Sequence, residues 1–83
     1  MDLFYFAWLR EKVGTGSEQR TLPADITTVA ALVEWLKTQS PGHAAAFADP
    51  ALVRVAVNQD HAGLDAIVTD RDEVAFFPPV TGG

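Results

Sequence analysis

One stretch of this chain has the spacing of a helix that could cover a core, and the rest of its apolar sequence does not. Val29, Leu32, Val33 and Leu36 recur at i, i+3, i+4 and i+7, an apolar stripe along an α-helix about three turns long. Thr27 or Thr28 can cap its start, Glu34 and Lys37 lie off the stripe, and Ser40-Pro41-Gly42 ends it. A single amphipathic helix cannot enclose a core alone, so the other apolar segments must supply the opposing layer. They read as strands. Residues 3–8, Leu-Phe-Tyr-Phe-Ala-Trp, are apolar on both faces, as in a central strand. Val53, Val55 and Val57 alternate along a strand over 52–57, and Glu73-Val74-Ala75-Phe76-Phe77 forms the last strand, stopped by Pro78-Pro79. Residues 18–22 are polar enough for an edge strand that Pro23 ends. Between these, Leu9 to Val13 makes one helical turn that Gly14 stops by taking positive φ, and the Ala-rich 43–48 stretch adds an irregular turn that buries Phe47. Asn58-Gln59-Asp60 turns the chain, and a short segment around Leu64–Val68 precedes the turn at Asp70-Arg71-Asp72.

The order is therefore β-β-α-β-(short β)-β. A mixed four- to five-stranded sheet packed on one main helix is an α+β roll, and a helix following a hairpin in this order is that of the β-grasp, ubiquitin-like fold. Residues 1–77 are expected to form the domain and 78–83 a flexible diglycine tail. At 83 residues the domain is small, but 48% of it is hydrophobic, enough for a core without disulfides.

Composition removes several kinds of function. Eleven acidic against six basic residues give a net charge of −5, which repels a phosphate backbone or an anionic membrane, so neither nucleic acid nor membrane is an expected partner. No cysteine is present, so thiolate metal sites and cysteine nucleophiles are excluded, and any sulfur chemistry must use something other than a side-chain thiol. The opening Met-Asp-Leu-Phe lacks the basic segment of a secretory signal, and no apolar run approaches the ~18 residues of a membrane span, so the cytoplasm is the expected location. His43 and His61 fall in loops without triad or zinc spacing and read as surface histidines. Asp70, Asp72 and Glu73 lack the ligand count of a calcium loop and read as a solvated turn; no metal site is expected. Gly14 and Gly16 are not followed by the residues of a phosphate loop.

The chemistry is concentrated at the end of the chain. From Val74 to Gly83 no side chain is charged, and the stiff Pro78-Pro79 pair projects the residues after it away from the sheet. Gly82 and Gly83 have no side chains, so they can thread a narrow channel, and the carboxylate of Gly83 is unhindered for activation by ATP. A reactive terminus on a domain without catalytic side chains describes a carrier. Phe4, Phe6, Trp8, Phe76 and Phe77 exceed what one sheet face can bury. Either a second face meets a protein partner, or turns and the 43–50 segment fold over it.

The motifs also carry a resemblance. Phe6-Ala7-x-Leu9-Arg10-Glu11-x-Val13-Gly14, Thr28-Val29-x-x-Leu32, Val57-Asn58-Gln59 and above all Asp72-Glu73-Val74-Ala75-Phe76-Phe77-Pro78-Pro79-Val80-x-Gly82-Gly83 resemble the small subunits of molybdopterin synthase, the ubiquitin-like sulfur carriers of molybdenum cofactor biosynthesis. The chain departs from that pattern at Asp70-Arg71-Asp72, where Asp-Gly-Asp is usual, and at His61-Ala62-Gly63, which is smaller and more polar. The resemblance implies a cycle. A ubiquitin-activating-enzyme-like adenylyltransferase uses ATP to adenylate Gly83, a sulfur donor protein converts the acyl-adenylate to a thiocarboxylate, and the sulfur passes to cyclic pyranopterin monophosphate in the large subunit. It further implies a heterotetramer, two of each subunit, with no cofactor bound to the carrier. Phe6 and Phe77 would contact the large subunit, Arg10 would add a charge at the rim, and Pro78, Pro79, Val80 and Thr81 would lie along its channel. A carrier for another pathway, such as the thiamine route, a protein modifier and a passive interaction module are the alternatives.

Overall fold

A computed structural model describes residues 1–79. Its elements are β1 (Asp2–Tyr5), α1 (Trp8–Val13), β2 (Ser17–Gln19), α2 (Val29–Lys37), α3 (Pro41–Ala46), a 3-10 turn (Pro50–Leu52), β3 (Arg54–Val57), β4 (Asp60–Ala62) and β5 (Glu73–Phe77). The five strands form one mixed sheet in the order β2-β1-β5-β3-β4, with β1 and β5 parallel and every other pair antiparallel. Such an α+β sheet packed by helices is the expected β-grasp roll.

Strand alternation decides what the sheet buries. Leu3 and Tyr5, Val74 and Phe76, and Val55 point to one face and join Val29, Leu32 and Leu36 of α2 in the core, together with Leu9 of α1 and Ala46 and Phe47 at the end of α3. The helix stripe is thus as the spacing predicts. Thr28 caps α2, its hydroxyl accepting from the Ala31 N–H, and Gly14 ends α1 at φ +97°.

Four expectations need correction. The first strand does not run over 3–8: β1 ends at Tyr5, Ala7 turns the chain at positive φ, and Trp8 opens α1. Ser40-Pro41-Gly42 does not only end α2: Ser40 caps a further helix, α3, with Pro41 in its first turn, because a serine followed by proline is also a helix start. Gly42 lets α3 lie against α1, since a Cβ there would strike the Lys12 carbonyl oxygen. The fourth strand is not at 64–68. Asn58 and Gln59 both have positive φ and form a two-residue reversal of the primed type, so β4 starts at once with Asp60, while the 64–68 segment makes only an isolated bridge, Ile67 to Thr28. The polar edge strand pairs over Ser17–Gln19 and not as far as Leu22.

The 43–50 segment covers only the core face, where Phe47 lies edge-on to Phe76 with ring centroids 4.8 Å apart. The buried apolar residues of the helices all belong to that one cluster. The opposite face, carrying Phe4, Ala75, Phe77 and Ala56, has no covering layer among the described residues.

Candidate functional site

Because β1 and β5 run parallel, their C-terminal ends lie at the same end of the sheet. There Phe77 pairs with Arg54 at the start of β3, and the Phe6 N–H donates to the Phe76 carbonyl at 3.0 Å. Phe6 and Phe77 are therefore brought together. Phe77, Pro78 and Pro79 are half-buried, whereas Phe6 is 51% exposed. Phe6 is set by a turn that the sequence does not advertise: Ala7 has φ +56° and ψ −132°, a conformation suited to glycine, and the Leu9 N–H closes the turn onto the Phe6 carbonyl. Arg10 is exposed on α1, its guanidinium against Gly16. Val80, Thr81, Gly82 and Gly83 lie outside the described residues.

A second cluster joins β1, β2 and α3 on the core side. His43, expected at the surface, is 4% exposed. Its burial follows from α3, which turns the ring toward Glu18, 25 residues earlier in the chain. His43 Nε2 lies 2.7 Å from the Glu18 carboxylate, which also accepts from the Tyr5 hydroxyl at 2.8 Å and from Arg20 Nε at 2.8 Å. Because a carboxylate only accepts, Nε2 carries the proton, and for the neutral ring Nδ1 accepts from the Ser40 hydroxyl at 2.7 Å. Ser, His and Glu stand in line as in a hydrolase, but Ser40 Oγ is engaged as the helix cap, accepting from the His43 N–H. The cluster is structural: it ties the polar edge strand to the helical layer, and no buried side-chain polar atom among the described residues lacks a partner.

Burial pushes the Glu18 carboxyl up, but the hydrogen bonds from His43, Tyr5 and Arg20 outweigh it, so its pKa falls below the ordinary value. Burial and then the Glu18 hydrogen bond push the Tyr5 hydroxyl well above its usual range. A depressed carboxyl pKa contributes stability that is complete above the unfolded value, about 4.3, and is lost as pH falls through the folded value. Glu18→Gln should cost about 1–3 kcal/mol at neutral pH and flatten the fall in stability below about pH 4.3. Denaturant titrations across that range check this; equal slopes for parent and variant would remove Glu18 as the responsible group.

The acidic turn is built for local order. Asp70 accepts from the Leu22 N–H and from the N-terminal ammonium, and Asp72 accepts from Asn58 Nδ2 and the Thr69 N–H; both carboxyls are lowered by these bonds. No group of three potential metal ligands occurs among the described residues. Nor is any helix there long and apolar enough to cross a membrane.

With this geometry in place, the family model for ThiS matches residues 3–83. The chain belongs to the ThiS family. It is 47% identical over 83 residues to the molybdopterin synthase sulfur carrier subunit of Escherichia coli, covering 100% of this chain and 99% of that one. It is 39% identical, with the same coverage, to the subunit of that name from Haemophilus influenzae. Among solved structures, small archaeal modifier protein 1 of Haloferax volcanii superposes with a TM-score of 0.77 at 27% identity, covering 96% of this chain and 97% of that one. The resemblance read from the sequence is thereby borne out. In this ThiS-family chain Arg71 needs no glycine-like backbone, since Ala7, Asn58 and Gln59 are the non-glycine residues with positive φ among those described. The other departure, His61, is exposed on β4 with its ring edge-on to Phe77, centroids 5.6 Å apart.

Proposed function

We propose that this chain is the sulfur-carrier small subunit of a molybdopterin synthase. The observation that carries the reading is the full-length 47% identity to the Escherichia coli subunit. In this reading a Gly83 carboxylate oxygen attacks the α-phosphorus of ATP on a ubiquitin-activating-enzyme-like adenylyltransferase, and pyrophosphate leaves. Sulfur at the sulfide level, supplied by a donor protein as hydrosulfide, attacks the acyl carbon; AMP leaves and a thiocarboxylate remains. The tail then enters the large subunit, where the thiocarboxylate sulfur attacks a side-chain carbon of cyclic pyranopterin monophosphate as an oxygen substituent leaves that carbon; water cleaves the resulting thioester and returns the Gly83 carboxylate, and a second loaded carrier supplies the other sulfur of the dithiolene. The carrier binds no cofactor; ATP belongs to the activating step, and the catalytic side chains belong to the large subunit.

The fold suits this division of labour. The last strand runs straight into Pro78-Pro79, whose rings fix φ, and the uncovered face beside it offers an apolar docking surface. Two carriers on a dimer of large subunits complete the proposed assembly. The likeness to a small archaeal modifier favours one other reading, in which the activated Gly83 acylates a lysine of another protein.

Incubation with ATP, the adenylyltransferase and the sulfur donor separates the two. Intact-mass measurement should find a chain heavier by the difference between one sulfur and one oxygen, and adding the large subunit and cyclic pyranopterin monophosphate should yield the dithiolene. Lysine conjugates without a thiocarboxylate would decide for the modifier.

A further inference from the structure

The fold leaves Arg54 without a task. It is exposed at the start of β3, on the uncovered face directly across from Phe77. Among the described residues its side chain makes one hydrogen bond, to the neighbouring Val53 carbonyl at 3.4 Å, and pairs with no carboxylate. His61 flanks the same ring from β4, across Ala56. In a chain of net charge −5, the side chains around Phe77 on this face are thus Arg54, His61, Ala56, Ala75, Phe4 and Phe6, with no acid among them. The carboxylates of the face, Asp2 and Glu73, stand at the far end of β1 and β5. The strand from Glu73 to Phe77 spans about 13 Å, more than a Debye length of about 10 Å at 0.1 M salt.

We infer that Arg54 is a partner-recognition residue: with His61 it frames Phe77 as a cationic and aromatic contact, fitted to an apolar pocket whose rim carries a carboxylate. This rests on the reading that the Phe77 face docks the large subunit of the synthase. The charge distribution supports it: an acidic protein presents an acid-free patch, rimmed by a cation, on the strand that leads to its C-terminal glycines. An Arg guanidinium meets a carboxylate through two parallel hydrogen bonds, so it fixes the rotation of the docked domain as well as attracting it. A rim charge of this kind acts mainly through salt-dependent attraction, whereas a buried aromatic acts through packing.

Calorimetric titration of the full chain into the purified large subunit tests this, at about 0.05 M and about 0.5 M salt. Arg54→Glu should weaken binding about 10- to 30-fold at low salt and only about 3-fold at high salt, Arg54→Gln about 3-fold at low salt, and Arg54→Lys should bind within about 2-fold of the parent. Phe77→Ala should weaken binding similarly at both salts. Because Arg54 is exposed, melting temperatures of its variants should match the parent; Arg54→Gln, similar in length and uncharged, serves if the Glu variant is unstable. If Arg54→Glu and Arg54→Gln bind like the parent while Phe77→Ala is weakened, the Arg54 inference falls and the docking reading stands. If Arg54→Lys is weakened as much as Arg54→Glu, or the loss ignores salt, the effect is one of shape and the inference also falls. If neither Phe77→Ala nor Arg54→Glu changes the affinity, this face is not the docking surface and both readings fall.

Discussion

Removing Gly83, or extending the chain beyond it, is expected to abolish sulfur transfer and to leave the domain folded. The proposed reacting atom is the terminal carbonyl carbon, and a chain shortened by one residue places its carboxylate about 3.5 Å short of the adenylating and sulfur-accepting centres. A misplacement of even 1 Å can cost about a hundredfold in rate, so a shift of a whole residue leaves essentially nothing. Extension ties the Gly83 carboxyl up in a peptide bond and moves the free carboxylate beyond its proper place. The fold should not notice, because the buried cluster among the described residues runs from Leu3 to Phe76. Each variant needs both dithiolene formation in the reconstituted system and a melting temperature. Normal dithiolene formation by the truncated chain would sink the carrier reading, while a melting temperature well below the parent's would show that the end of the chain helps hold the domain.

How much of this was legible in the sequence depends on how local each determinant is. The α2 stripe, the Gly14 stop and the alternating Val55 and Val57 are set by neighbours within one or two turns or residues, and periodicity finds them. The Ser40-Pro41 pair carries two meanings, end of one helix and start of the next, and only the packing of α3 on α1 through Gly42 selects the second. His43 could not be placed without knowing that β2 brings Glu18 to it; a buried histidine is decided by its partner, not by its own sequence context. Ala7 gave no sign of its positive φ, since alanine is not a residue that announces one. Of the docking residues, Phe6 and Phe77 could be proposed from parity and resemblance. Arg54 could not, because its place beside Phe77 is a matter of strand register, fixed by pairing between segments about twenty residues apart.

That same register makes the two adjacent phenylalanines of β5 a sharp test of the fold and the surface together. Phe76 is fully buried, stacked on Tyr5 at 5.9 Å and edge-on to Phe47; Phe77 points the other way, half-buried beside Arg54 and His61. Phe76→Ala should cost about 3–5 kcal/mol of stability, since the rings around it cannot close over the void, and that is a large share of the roughly 5–15 kcal/mol that holds a domain together. Phe77→Ala should cost about 1 kcal/mol or less of stability. In binding the order reverses. Truncating a central aromatic anchor should cost about 2 kcal/mol or more, roughly thirty-fold in affinity for the large subunit, whereas Phe76→Ala should bind normally once corrected for its unfolded fraction. Parallel denaturant unfolding and calorimetric titration of both variants separate the two roles. A stability collapse in Phe77→Ala, with its folded fraction binding as the parent does, would put Phe77 in the core and leave the uncovered face without its anchor.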